Sequence, residues 1–356
     1  MLNWLLIFVP IAIGLEFLKP ESHALIFLAA CLAILPLAGW LGRATEELAH
    51  HTGDGIGGLL NATFGNAAEF IIAIMAMRHG LYPVVKASLT GSIVGNILLV
   101  LGAAVLAGGI KHKEQRFNAV GARAKSTLLT LAAIGLIMPA AFHYLAGARA
   151  PVTEVSLSLA ISIVLLFAYG AHLVFSLHTH KGLFESDAAQ PGTPKPLWSL
   201  GKSIAALVGA TALIAWISEI LVGSVEQAAV SLGMTRIFVG VIVVAVIGNA
   251  AEHSTAIMFA LKNRMELSMG IAIGSSLQIA LFVAPALVIL SQFIGPRPMD
   301  LVFSPAEVLA VFLAVLITSQ IAADGESNWL EGILLLAVYL IVAVVFFFLP
   351  EMEPAQ

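Results

Sequence analysis

The chain has 356 residues, 60 % of them hydrophobic and only 11 % charged. An average soluble domain carries about 25 % charged residues, so a soluble fold could not keep this much apolar surface dry, and the chain is read as an integral membrane protein. The net charge of −4 points to no nucleic-acid partner, and the single cysteine, Cys31, excludes an intrachain disulfide and any multi-cysteine metal site.

Eleven apolar stretches are long enough to cross a bilayer, which takes roughly 17–25 residues each. The first, 2–18, has no basic leader and no small-residue cleavage site, so a retained helix is expected rather than a signal peptide. The second, 24–45, ends near Glu46, Glu47, His50, His51 and Asp54. That cluster reads either as a solvated helix end or as a gating, cation-access or pH-sensing group. The third, 56–77, contains Gly65-Asn66-Ala67-Ala68-Glu69, and the fourth, 84–107, contains Gly91, Ser92 and Asn96. A basic loop from Lys111 to Lys125 leads to spans at 126–146 and 155–177. The longest polar interruption, 178–196, is a Pro/Gly-containing linker. Next comes 200–224, where Glu219 and the nearby Glu226 are seven apart, share roughly one helix face and read as gating or entry groups, Glu226 as an outer counterpart of Glu46 and Glu47. Span 236–261 carries Gly248-Asn249-Ala250-Ala251-Glu252-His253, and 267–292 carries Gly274, Ser275, Ser276 and Gln278. The last two are 305–323 and 329–349. Ser304-Pro305-Ala306-Glu307 reads as an N-cap, a proline at N1 and a capping-box glutamate, not as a ligand set.

The two Gly-Asn-Ala-Ala-Glu words stand at one offset of 183 residues (65 to 248, 69 to 252), and Gly91-Ser92 matches Gly274-Ser275 at the same offset. The expected fold is therefore an all-α polytopic membrane protein of about eleven transmembrane helices arranged 1 + 5 + 5. Its parts are a first helix (1–22), repeat 1 (23–177), a cytoplasmic linker (178–199) and repeat 2 (200–356). Five helices per half is odd, so the halves must run in opposite directions, an architecture that transporters use around a site near the midplane. With the N-terminus inside, inner loops hold 11 Lys and Arg against 6 outside, which places the N-terminus in the cytoplasm. Short loops suggest a prokaryotic plasma membrane, with an organelle membrane as the alternative.

A carboxylate at bilayer depth costs roughly 2.5–3.5 kcal/mol on insertion scales, and this chain bears that cost twice in one context. On a helix, positions i and i+3 share a face, so Asn66 lies with Glu69, and Asn249 with Glu252. Weak helix preference at Gly65 and Gly248 marks both as hinge positions. Two carboxylates, two amides and the hydroxyls and amides of Ser92, Ser275, Ser276, Asn96 and Gln278 form an all-oxygen set that suits calcium. Each of the latter group reads equally as a helix-packing hydrogen bond. His253 replaces Phe70 of the first word and reads as a ligand, a proton relay or a packing residue. Without calcium, desolvation and mutual repulsion should make Glu69 and Glu252 take up protons. Competition between Ca²⁺ and H⁺ for shared carboxylates is then the simplest antiport mechanism. A cation channel lined by acidic rings is the alternative from another class. An intramembrane hydrolase is disfavoured, because the chain has no His-Glu-x-x-His zinc word.

The ordered motifs resemble the calcium/proton exchanger (CAX) family of the Ca²⁺/cation antiporter superfamily over nearly the whole chain. They are Ala44–Leu48, Gly57–Glu69, Gly91–Asn96, Ser218–Glu226, Gly248–His253, Gly274–Gln278 and Asp324–Gly332. The resemblance implies that Glu69 and Glu252 bind both cation and proton, with Asn66 and Asn249 beside them. Asn-Ala-Ala, where sodium/calcium exchangers tend to carry a Ser/Pro-containing word, favours protons over sodium as counter-ion. No cofactor is expected beyond the transported Ca²⁺ and H⁺. The expected partners are those ions and the lipid bilayer, and a homo-oligomer stays open.

Overall fold

In the computed structural model of the chain, residues 3–52, 54–147, 150–180, 182 and 196–350 are described. Nearly all of them are helical, as a bilayer demands of backbone that has no water to bond. In chain order the helices are α1 (Asn3–Leu18), α2 (His23–Thr52), α3 (Asp54–Phe64), α4 (Ala67–Arg78), α5 (Tyr82–His112), α6 (Ala119–Ala146) and α7 (Ala150–Val174, prolonged by a wide turn at Phe175–Thr179). After the linker come α8 (Leu200–Ser231), α9 (Arg236–Gly248), α10 (Ala250–Leu261), α11 (Met265–Leu290), α12 (Pro305–Ile321) and α13 (Trp329–Phe348). Among the described residues, seven helices are long and apolar enough to span alone: α2, α5, α6, α7, α8, α11 and α13. A bent pair, Arg236–Gly248 with Glu252–Leu261, supplies an eighth, with a 61° angle between its halves. The protein is a multi-pass membrane protein.

Two of the expected spans are broken at their hinge words. Span 56–77 is divided between α3 and α4 by Gly65 and Asn66, and 236–261 between α9 and α10 by Asn249. In both cases the asparagine leaves helical geometry (φ −105°, ψ 33° at Asn66; φ −91°, ψ 4° at Asn249). Each asparagine carbonyl then accepts the first hydrogen bond of the next helix, from Phe70 N and from His253 N, both at 3.0 Å. The two words thus fold alike locally. α4 and α10 also end alike, with Leu81 N bonding Ala76 O and Arg264 N bonding Phe259 O, each at 2.9 Å. Gly80 and Asn263 take positive φ there, +74° and +56°, a conformation that glycine and asparagine tolerate best.

α5 and α11 form the centre. Inside the protein lies 72 % of each apolar window, against 22 % for α7 and 28 % for α13, whose free faces are apolar. Phe167 on α7 and Phe348 on α13 are 78 % and 76 % exposed, as lipid-facing side chains should be. The central helices widen where their motifs end, at Gly95–Val100 in α5, which takes in Asn96, and at Ile279–Val283 in α11, directly after Gln278. α5 crosses α9 at backbone contact: a Cβ on Gly91 would stand 2.0 Å from Val241 O. Small residues at such crossings are the usual device of membrane helix pairs.

One element lies outside the all-α expectation. Glu114–Arg116 (β1) pairs antiparallel with Glu326–Asn328 (β2), joining the α5–α6 loop to the α12–α13 loop. Ser304 caps α12, Pro305 opens it, and Glu307 completes a capping box.

Candidate cation site

The break at Asn66 and Asn249 turns both amides inward, and both are 1 % exposed. Each amide reaches the central helix of the other half. Asn66 Nδ2 donates to Gln278 Oε1 on α11 at 2.7 Å. Asn249 Nδ2 donates to Ser92 Oγ on α5 at 3.0 Å, and Asn249 Oδ1 accepts from Asn96 Nδ2 at 3.3 Å. Ser276 Oγ on α11 donates to Ile93 O on α5 at 3.2 Å. Those last two residues are themselves 183 apart, so α5 and α11 meet at equivalent positions.

One turn beyond each asparagine sits the glutamate. Glu69 is 6 % exposed, and its carboxylate lies against Gly248, where a Cβ would come within 3.2 Å of Oε1. Glu252 is half-buried and accepts a hydrogen bond from Ser275 Oγ on α11. The two carboxylates are close enough for their charges to interact. Ser92, Asn96, Ser275, Ser276 and Gln278 are all buried in this same region. Asn66 Oδ1 is buried with no hydrogen-bond partner among the described residues. An orphaned acceptor is costly inside a protein, and here it belongs to the amide one turn before Glu69. Among the described residues no group of three or more His, Cys, Asp or Glu side chains converges. The region therefore offers two carboxylates supplemented by neutral oxygens, a hard-ligand set.

The sequence treats Gly65 and Gly248 as equivalent hinges, but their surroundings differ. Gly65 lies in the break, while Gly248 ends α9 as its last helical residue. A Cβ at Gly65 would meet Asn61 O at 2.8 Å and Gln278 Oε1 at 3.1 Å. Gly248 instead clears space for the carboxylate of the opposite half. His253 is half-buried, and its ring makes no hydrogen bond to another described residue.

The outlying acids are placed elsewhere. Glu46 is exposed. Glu47, expected at a solvated helix end, is 5 % exposed, and its Oε2 accepts from Leu197 N at 2.8 Å and Trp198 N at 3.0 Å. Its neighbour His51 donates from Nε2 to Trp198 O at 2.7 Å, and Trp40 stacks on the Trp198 indole. Glu47 thus clamps the chain just before α8. Trp198 is buried, and its backbone N–H there needs a protein acceptor. His50 is exposed, and the side chain of Asp54 lies outside the described residues. Glu219 pairs with His79 at 2.8 Å, and Glu226 pairs with Arg236 at 2.7 Å. His79 was not singled out from the sequence, where nothing distinguishes it from any other helix-end histidine. Linker residues Lys181, Glu185, Asp187 and Lys195 lie outside the described residues.

Comparison with known proteins gives the family. The sodium/calcium exchanger protein family matches residues 22–178 and 202–348. A Ca(2+)/H(+) antiporter of Synechocystis is 47 % identical, covering 98 % of this chain and 97 % of its own. The Ca(2+)/H(+) antiporter ChaA of Bacillus subtilis is 46 % identical over 92 % of this chain and 93 % of its own. The solved structure of native YfkE superposes with a TM-score of 0.82 at 41 % identity, covering 97 % of this chain and 100 % of that one. The chain belongs to the sodium/calcium exchanger protein family, in its calcium/proton exchanger branch.

Proposed function

We propose that this protein exchanges Ca²⁺ for H⁺ across a membrane by alternating access, with calcium and protons competing for Glu69 and Glu252. The single observation that carries the reading is the convergence of the two words. Two breaks bring both amides to the pair of central helices, Glu252 to Ser275 on α11 and Glu69 against Gly248 of the other word, and Asn66 Oδ1 is left as a buried acceptor without a donor among the described residues. Two ionised glutamates balance one divalent charge. Empty, they repel each other in a poorly solvated site, and protonation relieves both desolvation and repulsion. Each ion therefore displaces the other at the same atoms, which needs no separate proton site and no cofactor. Asn66, Asn249, Ser92, Asn96, Ser275 and Gln278 would complete a calcium shell of 6–8 oxygens. Naming of the 46–47 % identical relatives as Ca(2+)/H(+) antiporters supports the choice of ions.

The reading includes eleven membrane passages in an inverted 1 + 5 + 5 arrangement, with α3–α4 and α9–α10 as broken passages. Equal helix boundaries support it: α4 runs Ala67–Arg78 and α10 runs Ala250–Leu261, each boundary shifted by 183. The N-terminus would be cytoplasmic, and the membrane that of a prokaryotic cell. Glu219 and Glu226, with their partners His79 and Arg236, would flank an access route.

Purified protein in sealed proteoliposomes tests the reading. An imposed pH gradient should drive calcium uptake and a sodium gradient of equal size should not. Sodium-driven uptake at clamped pH would move the protein to sodium/calcium exchange, and calcium flux without proton counterflow would make it a channel.

A further inference from the structure

A cavity of about 470 Å³ opens away from the cation site, lined by His112, Lys113, Glu114, Arg116 and Asn263. It sits where α5 ends and the turn between α10 and α11 begins, so both broken-helix machinery and a central helix terminate on its walls. Several groups brace this corner. Lys111 Nζ and His112 Nε2 both donate to Leu261 O, at 2.9 and 3.0 Å. Gln115 Nε2 donates to Ala260 O at 2.8 Å and to Asn263 Oδ1 at 3.0 Å. That last bond occupies the Asn263 carbonyl and leaves its amide hydrogens to the cavity. Lys113 is exposed, carries no ion pair among the described residues, and is held at φ +61°. Arg116 uses Nε for Glu326 at 3.1 Å, so its terminal nitrogens stay free to donate. The donors on these walls are thus an ammonium, a guanidinium and a carboxamide, the combination that recognises a phosphate. Glu114 is the one acid among these lining residues, an acceptor for a hydroxyl.

The position of the cavity selects the source of that phosphate. Ile110, one turn back on α5, is 70 % exposed at the end of an apolar span. Lipid acyl chains and the cavity mouth are therefore neighbours. We propose that this cavity binds the headgroup of an anionic phospholipid bearing a polyol. Its phosphodiester would lie on Lys113, Arg116 and Asn263, its hydroxyl on Glu114 and its acyl chains along Ile110. Binding would pin the α5–α6 loop to the α10–α11 turn, whatever ions the protein exchanges.

Native mass spectrometry of the purified protein titrated with phosphatidylglycerol tests this, with phosphatidylcholine and inorganic phosphate as parallel probes. Wild-type protein should retain phosphatidylglycerol in preference to phosphatidylcholine. Each interfacial cation contributes about fivefold in affinity for an anionic lipid, so Lys113→Gln with Arg116→Gln should weaken binding about 25-fold. The exchange Lys113→Arg with Arg116→Lys should restore most of it, and the distant pair Lys19→Gln with Arg78→Gln should change little. Unweakened binding by the glutamine pair, or equal retention of phosphatidylcholine, would overturn the assignment. Inorganic phosphate at millimolar concentration displacing the lipid from wild type but not from the glutamine pair would support the site. Stabilisation by inorganic phosphate equal to that by phosphatidylglycerol would instead show a free-phosphate site and overturn the lipid reading.

Discussion

Replacing Gly248 by alanine separates calcium binding from folding. The added Cβ would lie 3.2 Å from Glu69 Oε1, 3.3 Å from Cγ and 3.5 Å from Cδ, closer than ordinary contact at the first two. The obstructing atoms are the far end of a side chain, so Glu69 can retreat by a few tenths of an ångström without moving backbone. Gly248 ends α9 in helical conformation, where alanine is favoured over glycine by up to about 1 kcal/mol. Stability without calcium should therefore hold or rise. Calcium has less tolerance, because its bonds to oxygen span only about 2.3–2.6 Å. Disturbing the support of a ligand typically costs 10–100-fold in metal affinity, roughly 1.4–2.8 kcal/mol. Since ligand-induced stabilisation follows RT ln(1 + [L]/Kd), it should shrink by that amount at a fixed high calcium concentration. Thermal unfolding of purified Gly248→Ala with and without calcium reads both quantities. Full calcium-induced stabilisation in the variant would refute the placement of Glu69 against Gly248 as part of the calcium site.

The same geometry sets the other substitutions. Gly91→Ala should destabilise the fold itself by about 1–3 kcal/mol through overpacking, because its Cβ meets Val241 O at 2.0 Å. Its counterpart Gly274→Ala, with nothing within 4 Å, should be neutral or stabilising, and thermal melts of both decide the point. Glu69→Gln and Glu252→Gln keep hydrogen bonding but cannot ionise; both should stay folded in membranes yet lose proteoliposome exchange. In wild type, calcium-induced stabilisation should weaken as pH falls, since protonated carboxyls must release protons before calcium binds. Cysteines at Lys19 and Lys113, in a Cys31→Ala background, should label from opposite sides with an impermeant reagent.

Much of this was legible because the bilayer narrows the choices. Apolar length identifies membrane helices, and two carboxylates at bilayer depth in one repeated word single out the candidate site. The capping box at Ser304 was readable for a local reason, since its atoms all lie within four residues. The role of Glu47 was not readable, because its partners Leu197 and Trp198 are 150 positions away and are backbone groups without a sequence signature. The β1–β2 ladder escaped for the same reason: three-residue strands carry no periodicity, and only the approach of two loops makes them pair.

The repeat is also less symmetric in space than in sequence, and the difference falls on the site. Asn249 uses both ends of its amide, donating to Ser92 and accepting from Asn96. Asn66 uses only its nitrogen, toward Gln278, and keeps Oδ1 buried and unbonded. The reason is visible one helix on. The position that pairs with Gln278 at the 183-residue offset is Gly95, which has no side chain to offer, and the position that pairs with Asn96 is Ile279, which has no polar atom. The second word is therefore satisfied by protein, and the first is left with an acceptor that a cation could satisfy. Two carboxylates in like words then need not be equal in affinity. If calcium binds as proposed, Glu69, on the same word as the open amide oxygen, should be the stronger ligand of the pair, and Glu69→Gln should cost more calcium-induced stabilisation than Glu252→Gln, whose carboxylate is already held by the Ser275 hydroxyl.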